Sequence, residues 1–430
     1  MSSKVKSSAA TGGEFLLPKL RFPEFQDASG WRITKLNSLL FEAKHRNRSL
    51  KLGPADVLSV SGEYGCVNQI EFMGRSYAGV TVKDYHVVEH GDIVYTKSPL
   101  KKNPYGIIKE NKGKRGIVST LYAVYRPFPE CSATYLDHFF SVDFHLNAYL
   151  QPIVRKGAKN DMKVNNADVL KGDICVPTLP EQQKIADCLD SADALIAAQG
   201  RKVEALRAYK KGLMQQLFPQ EGETQPRLRF REFEGTGEWK EVRLNTLGDL
   251  VSGLTYSPDD VQEEGLLVLR SSNIQSGKID LKDCVYVDPN IKGANLSRPN
   301  DILVCVRNGS TSLIGKTALI PEGMPLCTHG AFMTVFRSKA PKFAFQLFQT
   351  SRYQKQVAGD LGATINSING SQFLRYKFFV PKPPEQQRIA DCLTSLDDLI
   401  AAEARKLDTL KTHKKGLMQL LFPSVGEADV

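Results

Sequence analysis

Apolar positions recur at alternating steps of four and three along two stretches of the chain, residues 180–219 and 384–423. This spacing is typical of an α-helix with one apolar stripe, and a period of about 3.5 is typical of a two-stranded coiled coil. Pro180 and Pro384 suit a first helical turn, and each stretch closes with Leu-Phe-Pro, which stops a helix. We therefore predict two helices of ~35 residues, each about 50 Å long, that pack on each other. The alternative is that each helix packs only on its neighbouring domain.

The two stretches are copies of one another. Aligned at a constant offset of 204 residues, they are identical at 27 of 40 positions. A weaker repeat precedes each copy, since PKLRFPEFQDASGWRITKLNSL begins at Pro18 and PRLRFREFEGTGEWKEVRLNTL begins at Pro226. The two tryptophans of the chain, Trp31 and Trp239, occupy equivalent positions in this weaker repeat. The chain is therefore a duplication in which a variable segment and a helical repeat each occur twice.

Outside the helices, the chain is predicted to form two globular domains of mixed α/β structure. Runs rich in β-branched residues at 80–97 and 301–308 predict strands, and Gly91-Asp92 and Asn300-Asp301 predict the turns associated with them. The predicted order is a flexible arm, a domain, a helix, a hinge, a second domain, a second helix and a tail. The boundaries are 1–17, 18–179, 180–219, 220–225, 226–383, 384–423 and 424–430.

Composition narrows the class of protein. With 430 residues, of which 41% are hydrophobic, the chain is long enough for two or three domains with their own cores. We expect neither a membrane span nor a secretory signal, because no apolar run is long enough for the first and residues 1–17 lack the features of the second. The eight cysteines are scattered without a CxxC pair, which predicts reduced thiols in a cytoplasmic protein.

The positive charge of the chain is concentrated in the two variable segments. The net charge is +10, and residues 18–179 carry 23 basic against 16 acidic residues, while residues 226–383 carry 20 against 15. The two helical stretches are nearly balanced. Two separate basic segments favour a polyanion that is contacted at two places, although a basic excess can also serve solubility alone.

Catalytic and metal-binding motifs are imperfect in this sequence. Gly309–Thr317 resembles a phosphate-binding loop but has five residues between its glycines instead of four. His86–His90 matches HxxEH, yet its β-branched context predicts a strand, which would hold the two histidines about 13 Å apart. Asn103-Pro104-Tyr105 lacks the second proline of the Asn-Pro-Pro-Tyr motif of amino-methyltransferases. We therefore expect no enzymatic activity in this chain alone.

Basic and amide-rich turns remain as the candidate functional residues. Arginine reads guanine and asparagine reads adenine in the major groove, while lysine, serine and backbone amides hold phosphates. The alternative for any single residue is an ordinary solvated loop. The predicted DNA-binding residues are Ser61, Tyr64, Lys97, Ser98, Lys101, Lys102, Asn103, Tyr105, Lys114, Arg115, Lys156, Lys159, Asn160, Arg270, Ser271, Ser272, Asn273, Arg307, Asn308, Ser310, Thr311, Ser312 and His329.

The repeats resemble those of a known family. Two copies of PEQQ[KR]IADCL…KKGLMQ.LFP, each after a segment that opens with P.LRF.EF…W…L, resemble the specificity (S) subunit of type I restriction-modification systems. The resemblance covers essentially residues 18–423. It implies two α/β target recognition domains, each reading one half of a bipartite DNA site, and an antiparallel coiled coil that acts as a ruler between them. Because the variable segments differ strongly, the target is expected to be asymmetric.

The resemblance also implies partners and a role without catalysis. The family assembles with two methyltransferase subunits, which use S-adenosylmethionine, and with motor-nuclease subunits that use ATP and magnesium. No cofactor is therefore expected on this chain itself. Comparison of the two halves of the chain further suggests that Lys97-Ser98 corresponds to Arg307-Asn308. Two alternatives stay open, a coiled-coil assembly adaptor whose charge is incidental and, with less support, a self-contained DNA methyltransferase.

Overall fold

The computed structural model describes residues 17–98, 100–156, 162–361 and 366–423. The predicted arm lies outside these ranges except for Leu17, and the predicted tail lies wholly outside them. The chain divides into two compact units, a first unit of Met1–Gln199 with Lys406–Val430 and a second unit of Gly200–Arg405. Among the described residues, no helix is long and apolar enough to cross a membrane.

The first unit is a mixed α/β domain of short strands and short helices. Its strands are β1 (Arg32–Lys35), β2 (Leu40–Glu42), β3 (Leu58–Ser61), β4 (Gly65–Asn68), β5 (His86–Val88), β6 (Ile93–Thr96), β7 (Ile107–Glu110), β8 (Gly116–Val118), β9 (Tyr122–Pro127), β10 (Arg155–Lys156), β11 (Met162–Lys163) and β12 (Asp173–Val176). Its short helices are α1 (Gln69–Met73), α2 (Ala133–Phe140), α3 (Asp143–Leu150) and α4 (Asn166–Val169). The long helix α5 (Leu179–Leu217) follows and contributes its first half to this unit.

A four-stranded antiparallel sheet, in the order β2-β9-β6-β7, lies at the centre of the first unit. Its central strand β6 is buried along its whole length, as its β-branched sequence favours. Thr96 of β6 faces Tyr122 of β9. At the other end of β6, the carboxylate of Asp92 accepts two hydrogen bonds from Arg126 of β9, at 2.8 and 2.9 Å. This ion pair closes one end of the sheet.

The second unit is built in the same way. Its strands are β13 (Lys240–Arg243), β14 (Gly248–Ser252), β15 (Val261–Gln262), β16 (Leu266–Leu269), β17 (Ile274–Gln275), β18 (Lys278–Ile279), β19 (Tyr286–Val287), β20 (Ile302–Cys305), β21 (Thr317–Leu319), β22 (Cys327–His329), β23 (Met333–Ser338) and β24 (Lys377–Val380). Its short helices are α6 (Pro341–Leu347), α7 (Ser351–Asp360) and α8 (Gly370–Phe373). The long helix α9 (Pro383–Leu421) begins in this unit.

The central sheets of the two units have the same topology. The second sheet has the order β14-β23-β20-β21, and Cys305 of β20 faces Met333 of β23. Arg337 of β23 donates to Asp301 at 2.9 and 2.7 Å, as Arg126 does to Asp92 in the first unit. The duplication that the repeats predict therefore extends to the variable segments, although their sequences differ.

The two long helices confirm the prediction from the apolar pattern. Each has 39 residues, and each begins one residue before the predicted stretch and ends two residues before its last residue. Ile185, Leu189 and Val203 of the predicted stripe on α5 are buried, as are Ile389 and Leu393 on α9. The hydrophobic stripe, rather than helix propensity alone, stabilises such long helices.

In the second unit the long helices run antiparallel. Lys202 Nζ lies 2.6 Å from Glu403 Oε1, and Lys210 Nζ lies 2.7 Å from Asp397 Oδ1. Residue numbers thus rise along α5 as they fall along α9. Lys210 interrupts the apolar stripe, and its side chain is buried against its partner. This polar break therefore matches a specific partner residue, which fixes the register of the pair.

The first unit contains the copy of that ion pair. Lys414 Nζ lies 2.5 Å from Asp193 Oδ1. At the offset of 204 residues, Lys414 and Asp193 are the copies of Lys210 and Asp397. The helix halves in both units are therefore held by equivalent contacts with the roles of the two helices exchanged.

The weaker repeat holds each domain on the beginning of its long helix. In the first unit, Arg21 donates two hydrogen bonds of 2.7 Å to the carboxylate of Glu181, and Trp31 Nε1 donates to it at 3.1 Å. Glu181 is buried, so these donors satisfy a charge that water cannot reach. The second unit repeats the cluster with Arg229, Trp239 and Glu385.

Candidate nucleic-acid interface

Three loops lie side by side at one end of the central sheet of the second unit. One follows β20, one precedes β23 and one precedes α8. The backbone N–H groups of Val306 and Arg307 both donate to the carbonyl of Phe332 at 3.1 Å. The N–H group of Ile368 donates to the carbonyl of Val306 at 2.8 Å. Main-chain hydrogen bonds therefore hold the three loops together.

Predicted DNA-binding side chains of the second unit meet at these loops. The side-chain amide of Asn308 donates to Ser271 Oγ at 2.9 Å, and its oxygen accepts from the Ser310 N–H group at 2.9 Å. The hydroxyl oxygens of Ser310 and Ser312 lie 2.9 Å apart. The structure thus brings together four residues that come from two separate turns in the sequence.

Arg307 supplies an exposed cation to this surface. Its side chain is exposed, and its guanidinium carbon lies 5.8 Å from the centroid of the Phe332 ring. Thr311 and Lys316 are exposed in the same loop and add a hydroxyl and an ammonium group. Guanidinium and amide groups read base edges, whereas hydroxyl and ammonium groups hold phosphates. This combination suits DNA recognition.

The motif that resembles a phosphate-binding loop lies in this region. Gly309–Thr317 connects β20 to β21, and the Gly315 N–H group donates to the carbonyl of Cys305 at 2.8 Å. A phosphate-binding loop of this type instead leads from a strand into a helix, whose N-terminus faces the phosphates. The strand-to-strand context of Gly309–Thr317 therefore differs from that of a phosphate-binding loop.

Two predicted contact residues of the second unit are fully buried. Asn273 donates from its side-chain amide to two backbone carbonyls at 2.9 Å each. His329 Nε2 lies 2.9 Å from the carbonyl oxygen of Val251, and burial lowers the pKa of this imidazole. These side chains are occupied in holding turns, which corrects the expectation that they contact DNA directly.

Arg270 is half-buried, whereas Ser272 is exposed. The Arg270 guanidinium lies 2.8 Å from the carboxylate of Asp283, so its charge is already matched within the unit. Ser272 is exposed beside it.

The first unit places Lys97 and Ser98 at the same end of its central sheet. The paired strands and the shared ion pair align Lys97 with Val306 and Ser98 with Arg307. The expected correspondence of Lys97-Ser98 with Arg307-Asn308 is therefore wrong by one residue. Burial lowers the pKa of the Lys97 ammonium group.

The loop between β6 and β7 contains four more predicted residues, which differ in how far they are exposed. Lys101 and Lys102 are exposed. Tyr105 is half-buried, and its carbonyl accepts a hydrogen bond of 2.8 Å from the Tyr95 hydroxyl. Asn103 is buried and donates to the carboxylate of a helix α3 residue at 2.8 Å. Asn103 therefore anchors the loop to α3, which corrects its expected role as a DNA contact.

The other predicted residues of the first unit lie elsewhere. Lys114 and Arg115 follow β7 and thus lie at the opposite end of the sheet, and Arg115 is 3.0 Å from Glu89. Ser61 and Tyr64 belong to the β3–β4 hairpin, where Ser61 Oγ accepts from the Tyr64 N–H group at 3.2 Å. The predicted set of this unit therefore does not form one cluster.

Three predicted residues cannot be placed as side chains. Lys159 and Asn160 lie outside the described residues, and Lys156 is described only as part of β10.

Sequence reasoning missed the loop before α8. Asn366 accepts a backbone hydrogen bond from Asn308 at 3.4 Å, and Ser367 forms a β-bridge with Arg307. The run Asn-Ser-Ile-Asn at 366–369 was the available signal, because amide and hydroxyl side chains cluster there.

One group of side chains in the first unit has the spacing of a metal site. His138, Asp190 and Asp193 present ligand atoms within 4.8 Å of one another. However, Lys112 Nζ lies 2.7 Å from Asp190, and Lys414 Nζ contacts Asp193 at 2.5 Å. Since two ammonium groups already neutralise these carboxylates, we interpret the group as an ion-pair cluster between the domain and the long helices.

Comparisons with known proteins agree with this architecture. Residues 236–412 match the family model described as "Type I restriction modification DNA specificity domain". The chain is 30% identical over 193 residues to the type I restriction enzyme StySPI specificity subunit of Salmonella potsdam, and over 195 residues to the EcoKI specificity subunit of Escherichia coli K12. Each alignment covers 43% of this chain and 40% of the relative.

Solved structures share the fold over nearly the whole chain. The S subunit of a type I restriction-modification system from M. genitalium has a TM-score of 0.59 and 13% identity, and the superposition covers 95% of this chain and 99% of that one. A chain from a structural study of type I complex assembly has a TM-score of 0.53 and 17% identity, covering 92% and 98%. The chain thus shares its duplicated fold with these solved structures, and its residues 236–412 are similar to the type I restriction-modification DNA specificity domain.

Proposed function

We propose that this chain is the DNA-recognition subunit of a type I restriction-modification complex and that it binds an asymmetric, bipartite DNA target. One observation carries the proposal. Two units with the same central sheet present different side chains at the same end of it, such as Ser98 where the other unit has Arg307. Equivalent scaffolds with unlike reading residues suit a target with two unlike halves.

The proposed partners are two copies of a methyltransferase subunit together with motor-nuclease subunits. Each unit has a cavity beside its long helices, of about 970 Å³ in the first unit and about 680 Å³ in the second. Repeated residues line both cavities. They are Lys411, Lys414, Lys415, Met418 and Gln419 in the first unit and Arg207, Lys210, Lys211, Met214 and Gln215 in the second. Two equivalent cavities support the docking of one partner twice.

We further propose that the chain itself is not catalytic and acts in the cytoplasm. S-adenosylmethionine, ATP and magnesium would then be bound by the partner subunits, and this chain would determine where on DNA they act. The target adenine must leave the base stack to reach a methyltransferase site, so the recognition domains would hold DNA while this happens.

Adenine methylation in the source cell tests the proposal. Single-molecule sequencing of DNA from cells with and without the gene should reveal a bipartite motif that loses its methylation on deletion. An unchanged methylome in cells that express the methyltransferase partner would contradict the proposed function. Binding of the purified chain to duplexes that contain the motif would then separate DNA recognition from partner assembly.

A further inference from the structure

The turn before β9 in the first unit is equivalent to the turn before β23 in the second unit. Thr96 faces Tyr122 in the first unit and Cys305 faces Met333 in the second, so the residues just before β9 and β23 correspond. These residues are Leu121 and Phe332. The alignment is fixed by strand register and by the shared Asp–Arg ion pair, and not by sequence similarity.

Both equivalent residues present a large apolar side chain to solvent. Leu121 is 70% exposed, and Phe332 is 57% exposed. A single exposed apolar residue on a protein surface is normal and needs no explanation. Its recurrence at the same turn, in two units whose sequences otherwise differ strongly, does need one. Neither side chain contributes to the core of its unit, so stability does not account for it.

Equivalent backbone hydrogen bonds stabilise the turns that carry these side chains. Tyr122 donates from its N–H group to the carbonyl of Ser119 at 3.1 Å, and Met333 makes the equivalent bond to Gly330 at 2.8 Å. Gly253 packs closely on the same turn, because a Cβ atom added to Gly253 would lie only 2.2 Å from the carbonyl oxygen of Gly330. An exposed side chain on an ordered turn loses little conformational entropy on binding, which favours a role in recognition.

Each turn lies beside the loop with the predicted DNA-binding residues. The Phe332 carbonyl accepts two backbone hydrogen bonds from that loop, and the Arg307 guanidinium carbon lies 5.8 Å from the centroid of the Phe332 ring. In the first unit, strand register places Leu121 beside Lys97. A cationic and polar rim around one apolar side chain matches the chemistry of DNA, in which charged phosphates flank the apolar surfaces of the bases.

We propose that Leu121 and Phe332 are equivalent apolar contacts to DNA bases, one for each half of the target. The inference rests on the proposed function. Each side chain packs on the apolar surface of a base while the neighbouring polar loop contacts base edges and phosphates. Because each residue belongs to a different unit, each affects only one half-site.

Binding of the full chain to duplex DNA tests this proposal. The target is first selected by the purified wild-type chain from a pool of randomised duplexes. Binding constants are then measured for the intact target and for duplexes with either half-site scrambled. We expect Phe332→Ala to weaken binding to the intact target by about tenfold and to remove discrimination at one half-site. We expect Leu121→Ala to act on the other half-site.

Two control variants make the test specific. Leu326 is 61% exposed and lies at the other end of β22 from the turn, so Leu326→Ala removes an equally exposed apolar side chain outside the proposed contact. We expect it to bind like the wild-type chain. Phe332→Leu, which gives the second unit the residue type of the first, should keep most of the affinity. Thermal unfolding of each variant shows whether its fold is unchanged.

Several results would overturn the inference. If Phe332→Ala binds the target as tightly as the wild-type chain, Phe332 does not contact DNA. If Leu326→Ala loses as much affinity as Phe332→Ala, the loss is not specific to the proposed contact. A loss of the same size on every duplex, scrambled or intact, would mean that Phe332 does not contact a base. These results differ from failure of the proposed function, in which the wild-type chain itself would select no sequence and the inference would fail with it.

Discussion

At the scale of single residues, the hydrogen-bond partners of polar side chains determine which of them reach the candidate interface. Asn273 and Asn308 both belong to polar turns, yet the first is fully buried and the second lies at the candidate interface. Hydrogen bonds from Asn273 to backbone carbonyls seven and ten residues further along the chain account for this difference, and the composition of the turn does not reveal them. The exposure of Phe332 could not be predicted from the sequence either, because an apolar residue before a strand usually enters the core.

Arg307 gives the first prediction at this scale. Replacement by alanine should cost ~1–3 kcal/mol of binding to the intact target, because the exposed guanidinium would no longer contact a base edge. The loss should vanish on duplexes in which the half-site of the second unit is scrambled. Arg201, an exposed arginine on α5, provides the matched control as Arg201→Ala. Equal weakening on all duplexes would identify Arg307 as a phosphate contact instead.

His86 gives a prediction about acid stability. Burial, reinforced by the nearby Arg46, lowers the pKa of this imidazole to about 4 from its ordinary value near 6.5. The folded state therefore binds fewer protons than the unfolded state between these values, and stability is lost as pH falls from about 6.5 towards 4. Urea unfolding at pH 7.5 and 5.5 should show a smaller pH effect in His86→Gln than in the wild-type chain. An identical pH effect in both would contradict the assignment.

At the scale of elements, the strongly periodic segments were predictable with their boundaries, and the short strands only in part. The apolar stripe located both long helices to within two residues. The run at 80–97 forms two strands, β5 and β6, separated by the predicted turn at Gly91, where φ is 82°. Glycine adopts this positive φ without strain, which is why a Gly-Asp pair could indicate the turn from the sequence. The core positions of these short strands depend on sheet pairing that the sequence does not show.

The ion pairs between the long helices give the prediction at this scale. Lys210 is buried against Asp397, so Lys210→Asp should destabilise the chain by on the order of 3 kcal/mol through two facing carboxylates. Adding Asp397→Lys reverses the pair and should restore part of that free energy of unfolding. A double-mutant cycle in urea measures the coupling. Additive effects of the two substitutions would mean that the pair does not fix the register of the helices.

At the scale of the whole molecule, the duplication was the most informative signal. It predicted two domains, two helices and their pairing, because each copy alone would leave an apolar stripe exposed. The role of the weaker repeat became clear only from the structure, where Arg21 and Trp31 converge on the buried Glu181 over a separation of about 150 residues. The unlike loops follow from the same duplication, since a shared scaffold allows each unit to change its reading residues independently.

The charge of the whole molecule leads to a final prediction about salt. DNA binding that neutralises phosphates releases counterions, so the logarithm of the binding constant falls linearly with the logarithm of salt concentration. Lys101 and Lys102 are exposed beside the candidate interface of the first unit. Replacing both by glutamine should reduce the magnitude of this slope by about 2 while leaving sequence discrimination unchanged. A steep wild-type slope together with sequence preference would argue against a pure assembly adaptor, for which binding would be weak and without sequence preference.

A matched pair elsewhere in the same unit separates local contact from overall charge. Lys51 and Lys83 are also exposed, and their replacement by glutamine removes the same two charges from the chain's net +10. If phosphates are contacted at the loop between β6 and β7, only the Lys101 and Lys102 variant should lose slope, since counterion release is counted at contacted phosphates. If both variants lose the same amount of slope, the basic excess acts at long range. The loop between β6 and β7 would then not be part of the DNA interface.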